Sequence, residues 1–140
     1  MNRMKLEFMS DSRNERFARS VASAFVLELD PTLQELSEIK TAVSEAVTNA
    51  VIHGYRNVSG TVTMEGIILD NTVELTISDK GEGICDIDKA MEPMYTGAPE
   101  DERSGLGFTI MQTFMDELED TSTPGRGTKV TMRKKIGSTR

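Results

Sequence analysis

Glu45 and Asn49 stand four residues apart in a segment whose apolar residues recur at helical spacing, with His53 one turn further on. Side chains at that spacing share a helix face. A carboxylate there can take a proton from a hydroxyl or a water. A carboxamide one turn on offers the neutral oxygen that suits Mg²⁺, an ion that keeps several of its waters. Ala42, Ala46 and Ala50 are small neighbours that leave room for something to dock. An isolated Glu–Asn pair more often belongs to a solvated polar face, so this pair says little alone. Three later segments add to it. Asp79-Lys80-Gly81-Glu82-Gly83-Ile84 follows a strand pattern; Asp79 can accept a hydrogen bond, for example from a purine amino group, and Gly81 and Gly83 let a ring lie against backbone. Arg103-Ser104-Gly105-Leu106-Gly107-Phe108 opens a helix, where unpaired N–H groups favour phosphate. Gly125-Arg126-Gly127-Thr128 joins the last two strand patterns and by itself reads as a hairpin turn. Neither a Walker ending nor a G-x-G-x-x-G after a first strand occurs.

The elements that must carry these residues follow from periodicity. Met4, Leu6 and Phe8 alternate with charged residues, which predicts a strand. Ser12 and Glu15 form a capping-box pattern ahead of a helix over about 13–28, with Phe17, Val21, Ala24, Phe25 and Leu29 inward. Asp30-Pro31 breaks it, and Thr32 with Glu35 opens a second helix whose stripe is Leu36, Ile39, Val43, Val47 and Ala50. Glu45, Asn49 and His53 then fall on the side away from that stripe, and Gly54 ends the helix. Runs over about 61–69 and 73–79 flank Asp70-Asn71 as a hairpin. Residues 86–91 are expected to form a short helix, 93–104 a mobile loop, and 105–115 a helix with Leu106, Ile110, Phe114 and Met111 inward. A second hairpin, 117–123 with 127–134, turns at Pro124-Gly125. Strands in hairpins with helices between them predict an α+β two-layer sandwich, with helices on one face of a mixed, mainly antiparallel sheet.

Composition bounds the function. At 140 residues the chain fits a single domain, 1–140. Sixteen basic against twenty-three acidic residues give a net charge of −7, which argues against gripping nucleic acid directly. One Cys and one His leave neither a disulfide nor a His- or Cys-rich metal cluster. Neither a signal-peptide core nor a membrane span is visible, so a cytoplasmic protein without membrane contact is expected.

In this order and spacing, the four segments resemble the N, G1, G2 and G3 boxes of the GHKL (gyrase, Hsp90, histidine kinase, MutL) ATPase and kinase superfamily, whose fold is the Bergerat sandwich. The N box is Glu45-Ala46-Val47-Thr48-Asn49-Ala50. With His53-Gly54-Tyr55 behind it and Ser104-Gly105-Leu106-Gly107-Phe108-Thr109-Ile110-Met111 at G2, the chain is similar from Leu6 to its last strand to the serine-kinase anti-sigma factors of endospore-forming bacteria. The resemblance implies a homodimeric, ATP-dependent protein serine kinase. Such a protein sequesters a sporulation sigma factor, sigma F, and phosphorylates a serine of an anti-anti-sigma factor. It further implies that Asn49 holds Mg²⁺, that Glu45 is the general base or hydroxyl-positioning group, and that Asp79, Gly81 and Gly83 form the adenine pocket. The backbone of Ser104, Gly105, Leu106 and Gly107 would hold the phosphates of ATP or ADP. Thr128 would lie near adenine, and 93–104 would be the ATP lid. A binding-only anti-sigma module of a related stress-response system is the alternative. A mechanical ATPase or histidine-kinase domain is disfavoured, since no room is expected for a transducer or a phosphoacceptor helix.

Overall fold

The computed structural model describes residues 1–54, 60–80, 103–123 and 127–137. Among them, strands β1 (Asn2–Met9), β2 (Thr61–Leu69), β3 (Thr72–Asp79), β4 (Glu117–Thr123) and β5 (Gly127–Lys135) form one sheet. Its order is β1-β2-β3-β5-β4, and every neighbouring pair is antiparallel, so the expected mixed pairing does not occur among the described strands. Helices α1 (Asn14–Val26), α2 (Leu33–Asn49) and α3 (Arg103–Phe114) contribute to the same core as one face of that sheet. The predicted two-layer α+β sandwich is what forms.

Alternation decides which face is covered. Phe8, Val62, Met64, Val73, Leu75, Ile77, Val130 and Met132 are buried against the helices. The intervening residues, such as Lys5, Glu65, Thr76 and Arg133, form the other face. The β2–β3 hairpin turns at Asp70-Asn71 as expected, with Asp70 at φ 55. The expected turn at Pro124-Gly125, the short helix at 86–91 and most of the 93–104 loop lie outside the described residues. Arg103 and Ser104, expected in that loop, belong to α3.

The second capping box forms. Thr32 Oγ1 accepts from Glu35 N at 3.1 Å, while Glu35 Oε1 accepts from Thr32 N at 2.9 Å. The first does not. Asp11 Oδ1 takes the Arg13 N–H at 2.9 Å, and the Arg13 guanidinium at 2.6 Å holds the Asp11 carboxyl down to about 2. With that turn in place, α1 starts at Asn14 without a side-chain cap. Glu15 turns instead toward α2, where it accepts a hydrogen bond from Ser44 Oγ. Of the residues expected inward on the first helix, Val21, Phe25 and Leu29 pack against the core, whereas Phe17 and Ala24 are exposed and the fully buried positions are Ala18, Ala22 and Val26. Small residues win these positions because α1 packs on both α2 and the sheet.

α2 is the central helix. Ile39, Val43 and Val47 face the sheet as predicted. The side bearing Ala42, Ala46 and Asn49, expected to face outward, is buried as well. α1 packs along one flank of α2 and α3 along the other, so the small residues admit a helix rather than leaving an open surface. Beyond Asn49 the helix widens into a π-helical turn, Ala50–Gly54, which contains His53 and ends at the glycine.

Candidate functional site

Asn49, Asp79 and Thr128 line one cleft between α2, α3 and the sheet, walled by Ala46, Phe108 and Val130. Each polar residue arrives from a different element. Asn49 is the last residue of α2 and 7% exposed; Asp79 ends β3 and is equally buried. Thr128 lies opposite Asp79 in the β3–β5 ladder, so the two share a row of the sheet. Gly127 makes that closeness possible. It sits at φ 108, and a Cβ there would lie 2.0 Å from the Asp79 carbonyl oxygen. Only glycine takes this backbone position without displacing the strand that carries Asp79.

Gly107 does the corresponding work on α3. A Cβ at Gly107 would lie 2.9 Å from Glu45 Oε2 and 3.3 Å from Asn49 Nδ2. The α3 backbone therefore runs directly against the Glu45–Asn49 pair. Asn49 Nδ2 is buried and has no hydrogen-bond partner. A buried amide donor left unpaired costs about 1–3 kcal/mol, and it points to a polar group that completes the site. Ser104, Gly105 and Leu106 fall in the first turn of α3, where helix N–H groups have no intrahelical acceptor. Gly81 and Gly83 lie outside the described residues. The apolar walls, Phe108 and Val130, were not singled out from sequence. Their signal was present, since Phe108 follows Gly107 directly and Val130 shares a strand face with Thr128.

Among the described residues, no three His, Cys, Asp or Glu side chains come together as a metal site. Mg²⁺ takes neutral oxygen ligands, and the Asn49 carboxamide oxygen is of that kind, so the residues present are compatible with the ion. No described helix is long and apolar enough to cross a membrane.

The topology and the cleft fit an ATPase-type nucleotide-binding domain, and the family profile assigns the chain to one. The profile of the histidine kinase-like ATPase domain matches residues 8–134. The RsbU and RsbW domains of a Mycobacterium tuberculosis protein superpose with a TM-score of 0.70 at 19% identity, over 97% of this chain and 32% of that one. A blue-light activated histidine kinase of Erythrobacter litoralis follows at 0.60 and 21%, over 84% and 40%. At these identities the likeness concerns the fold alone. Two sequence relatives are much nearer. The Anti-sigma F factor of Caldanaerobacter subterraneus subsp. tengcongensis is 56% identical, covering 99% of this chain and 97% of the relative. That of Clostridium acetobutylicum is 52% identical, covering 96% and 94%. The chain belongs to their family, the anti-sigma F factors of the GHKL ATPase superfamily.

Proposed function

We propose that this chain is an ATP-dependent protein serine kinase that also binds and inhibits sigma F and inactivates an anti-anti-sigma factor by phosphorylating it. The single observation that carries the reading is the buried, unpartnered Asn49 amide beside Glu45, with the Gly107 backbone packed against both. The free Nδ2 donor is unsatisfied in the protein alone and is suited to an oxygen of a polyanion. Asn49 Oδ1 would hold the ion, which supplies charge neutralisation on the phosphates. Asp79 accepts from the adenine amino group, Gly81 and Gly83 shape the ring's pocket, and Thr128 borders it. The backbone from Ser104 through Gly105 and Leu106 to Gly107 donates to phosphates.

Glu45 orients the acceptor serine and takes its proton. In the transfer, the serine oxygen bonds to the γ-phosphorus while the bond to the bridging β–γ oxygen breaks, and ADP leaves. Phosphoryl transfer depends chiefly on positioning and charge stabilisation. Glu45 therefore acts first by holding the hydroxyl in line and second as a base. The chain works as one ATP-binding unit over residues 1–140, with the stretch ahead of α3, about 93–102, as the lid, in the cytoplasm. It is a homodimer without contact to nucleic acid or membrane. For the dimer, Met4, Leu6 and Phe8 are already directed to the core, and among the described residues β1 pairs only with β2. An edge of that kind can extend a sheet.

The test is to incubate the purified protein with labelled ATP, Mg²⁺ and a cytosolic extract of a sporulating cell, and to identify the labelled product. A single small acceptor labelled on serine is expected. Label on histidine, or none beyond background, would contradict the reading; none together with retained sigma F binding would leave the binding-only module.

A further inference from the structure

Asp120 is a buried carboxylate that the proposed chemistry does not use. It lies on β4 with its Cα opposite Val130 of β5, and Val130 lies opposite Ile77 of β3. Directly opposed residues of an antiparallel ladder point to the same face. Asp120 therefore belongs to the helix-facing layer, in the row whose other two members, Val130 and Ile77, wall the nucleotide cleft. Both of its oxygens are buried and neither has a hydrogen-bond partner. Burial pushes its carboxyl up to about 6.

Among the described residues, no charged group relieves it. Glu117 and Glu119 on β4, and Lys129 and Arg133 on β5, belong to the opposite face by alternation. Arg133 is moreover engaged by Glu74, Glu117 and Glu119. Lys134 and Asp79 share the face of Asp120, but Lys134 is held by Glu38 and by Phe114 O, and Asp79 is itself acidic. From Gly107 to Phe114, α3 has no titratable side chain to offer. Asp116, just beyond it, accepts the backbone N–H of Lys135 at 2.7 Å. The packed layer thus accommodates a neutral carboxylic acid, and an ionised one must draw in water or loosen the edge strand.

We propose that Asp120 is a positioning residue of the nucleotide cleft: in its neutral form it keeps β4 and the Val130–Ile77 wall closed under α3, and its ionisation weakens the binding of an adenine nucleotide. This rests on the reading of the cleft as a nucleotide site. Linkage makes the effect reciprocal, so nucleotide binding draws a proton onto Asp120. The charge of the phosphates acts in the same direction.

The experiment is calorimetric titration of ADP into the parental protein, Asp120→Asn and Asp120→Val from about pH 5 to about pH 8. The nucleotide's own phosphate titrates equally in all three, so the ratio of affinities is read. The parental affinity is expected to fall by about tenfold relative to either variant across that range, which corresponds to a difference of about one pKa unit between free and bound protein. Parallel curves for all three proteins would overturn the role of Asp120 alone. If none of the three bound ADP at any pH, the nucleotide reading would fall, and this proposal with it.

Discussion

The two ends of α2 are built to opposite standards. At the N-terminal end Glu35 uses both carboxylate oxygens, one on Thr32 N at 2.9 Å and the other on Gly137 N at 2.8 Å, so the cap also ties down the end of β5. One turn on, Glu38 lies 3.7 Å from Lys134 Nζ, which also donates to the last carbonyl of α3, Phe114 O, at 2.8 Å. At the C-terminal end a buried amide has no partner, and the helix runs into a π-helical turn. Such turns recur at functional sites. One end contributes stability, and the other leaves a buried polar group unsatisfied, as the proposed nucleotide role requires.

That contrast can be broken by substitution. Asn49→Ala should have the largest effect: loss of Mg²⁺-dependent ATP binding by about a hundredfold or more, equal to ~3 kcal/mol. Its unfolding free energy should stay within about 1 kcal/mol of the parent, since Nδ2 gives up no internal hydrogen bond. Calorimetry and urea unfolding on the same sample would check both. Gly127→Ala should fail on both counts, losing about 3 kcal/mol of stability and nucleotide affinity together, because its Cβ collides with the backbone that carries Asp79. Glu35→Ala should do the reverse of Asn49→Ala: about 2–3 kcal/mol less stable by urea unfolding, with nucleotide affinity unchanged while it remains folded.

Smaller again is the effect of pH through Asp120. Its carboxyl is held at about 6 by burial against an ordinary value of 3.8. Ionising it therefore costs stability as pH rises between those values, and the cost is absent below them. Asp120→Asn should be more stable than the parent by about 2 kcal/mol near pH 8, with the difference vanishing near pH 4. A gap independent of pH would contradict the assignment. Thr32→Ala, removing one cap acceptor at the stable end, should cost about 1 kcal/mol without affecting nucleotide.

Much of this was legible in the sequence where a local pattern had one physical solution. Thr32 and Glu35 cap a helix because both partners lie within one turn. Leu69 and Thr72 meet because two turn residues separate them. The four boxes pointed to the cleft, and three of its polar members, Asn49, Asp79 and Thr128, do meet there. What escaped was set by contacts distant in sequence. Ser12 and Glu15 have the spacing of a cap, but Asp11 pairs with Arg13 and Glu15 answers to Ser44 of another helix. Ala42 and Ala46 looked like open space beside a polar pair, because no local signal tells that α3 will fill it. Asp120, in an edge strand of acidic and hydroxyl residues, gave no sign of facing inward until the β4–β5 register was known.

The central claim is that the C-terminal end of α2 awaits a Mg²⁺-nucleotide. It is tested most directly by following the side-chain amide resonances of ¹⁵N-labelled protein while ATP is added with and without Mg²⁺. The Asn49 amide should shift strongly with ATP and Mg²⁺ together and much less with ATP alone. The Asn14 amide, already donating to Met9 O at 2.9 Å, should stay in place. An Asn49 resonance that does not respond to saturating ATP and Mg²⁺ would contradict the account.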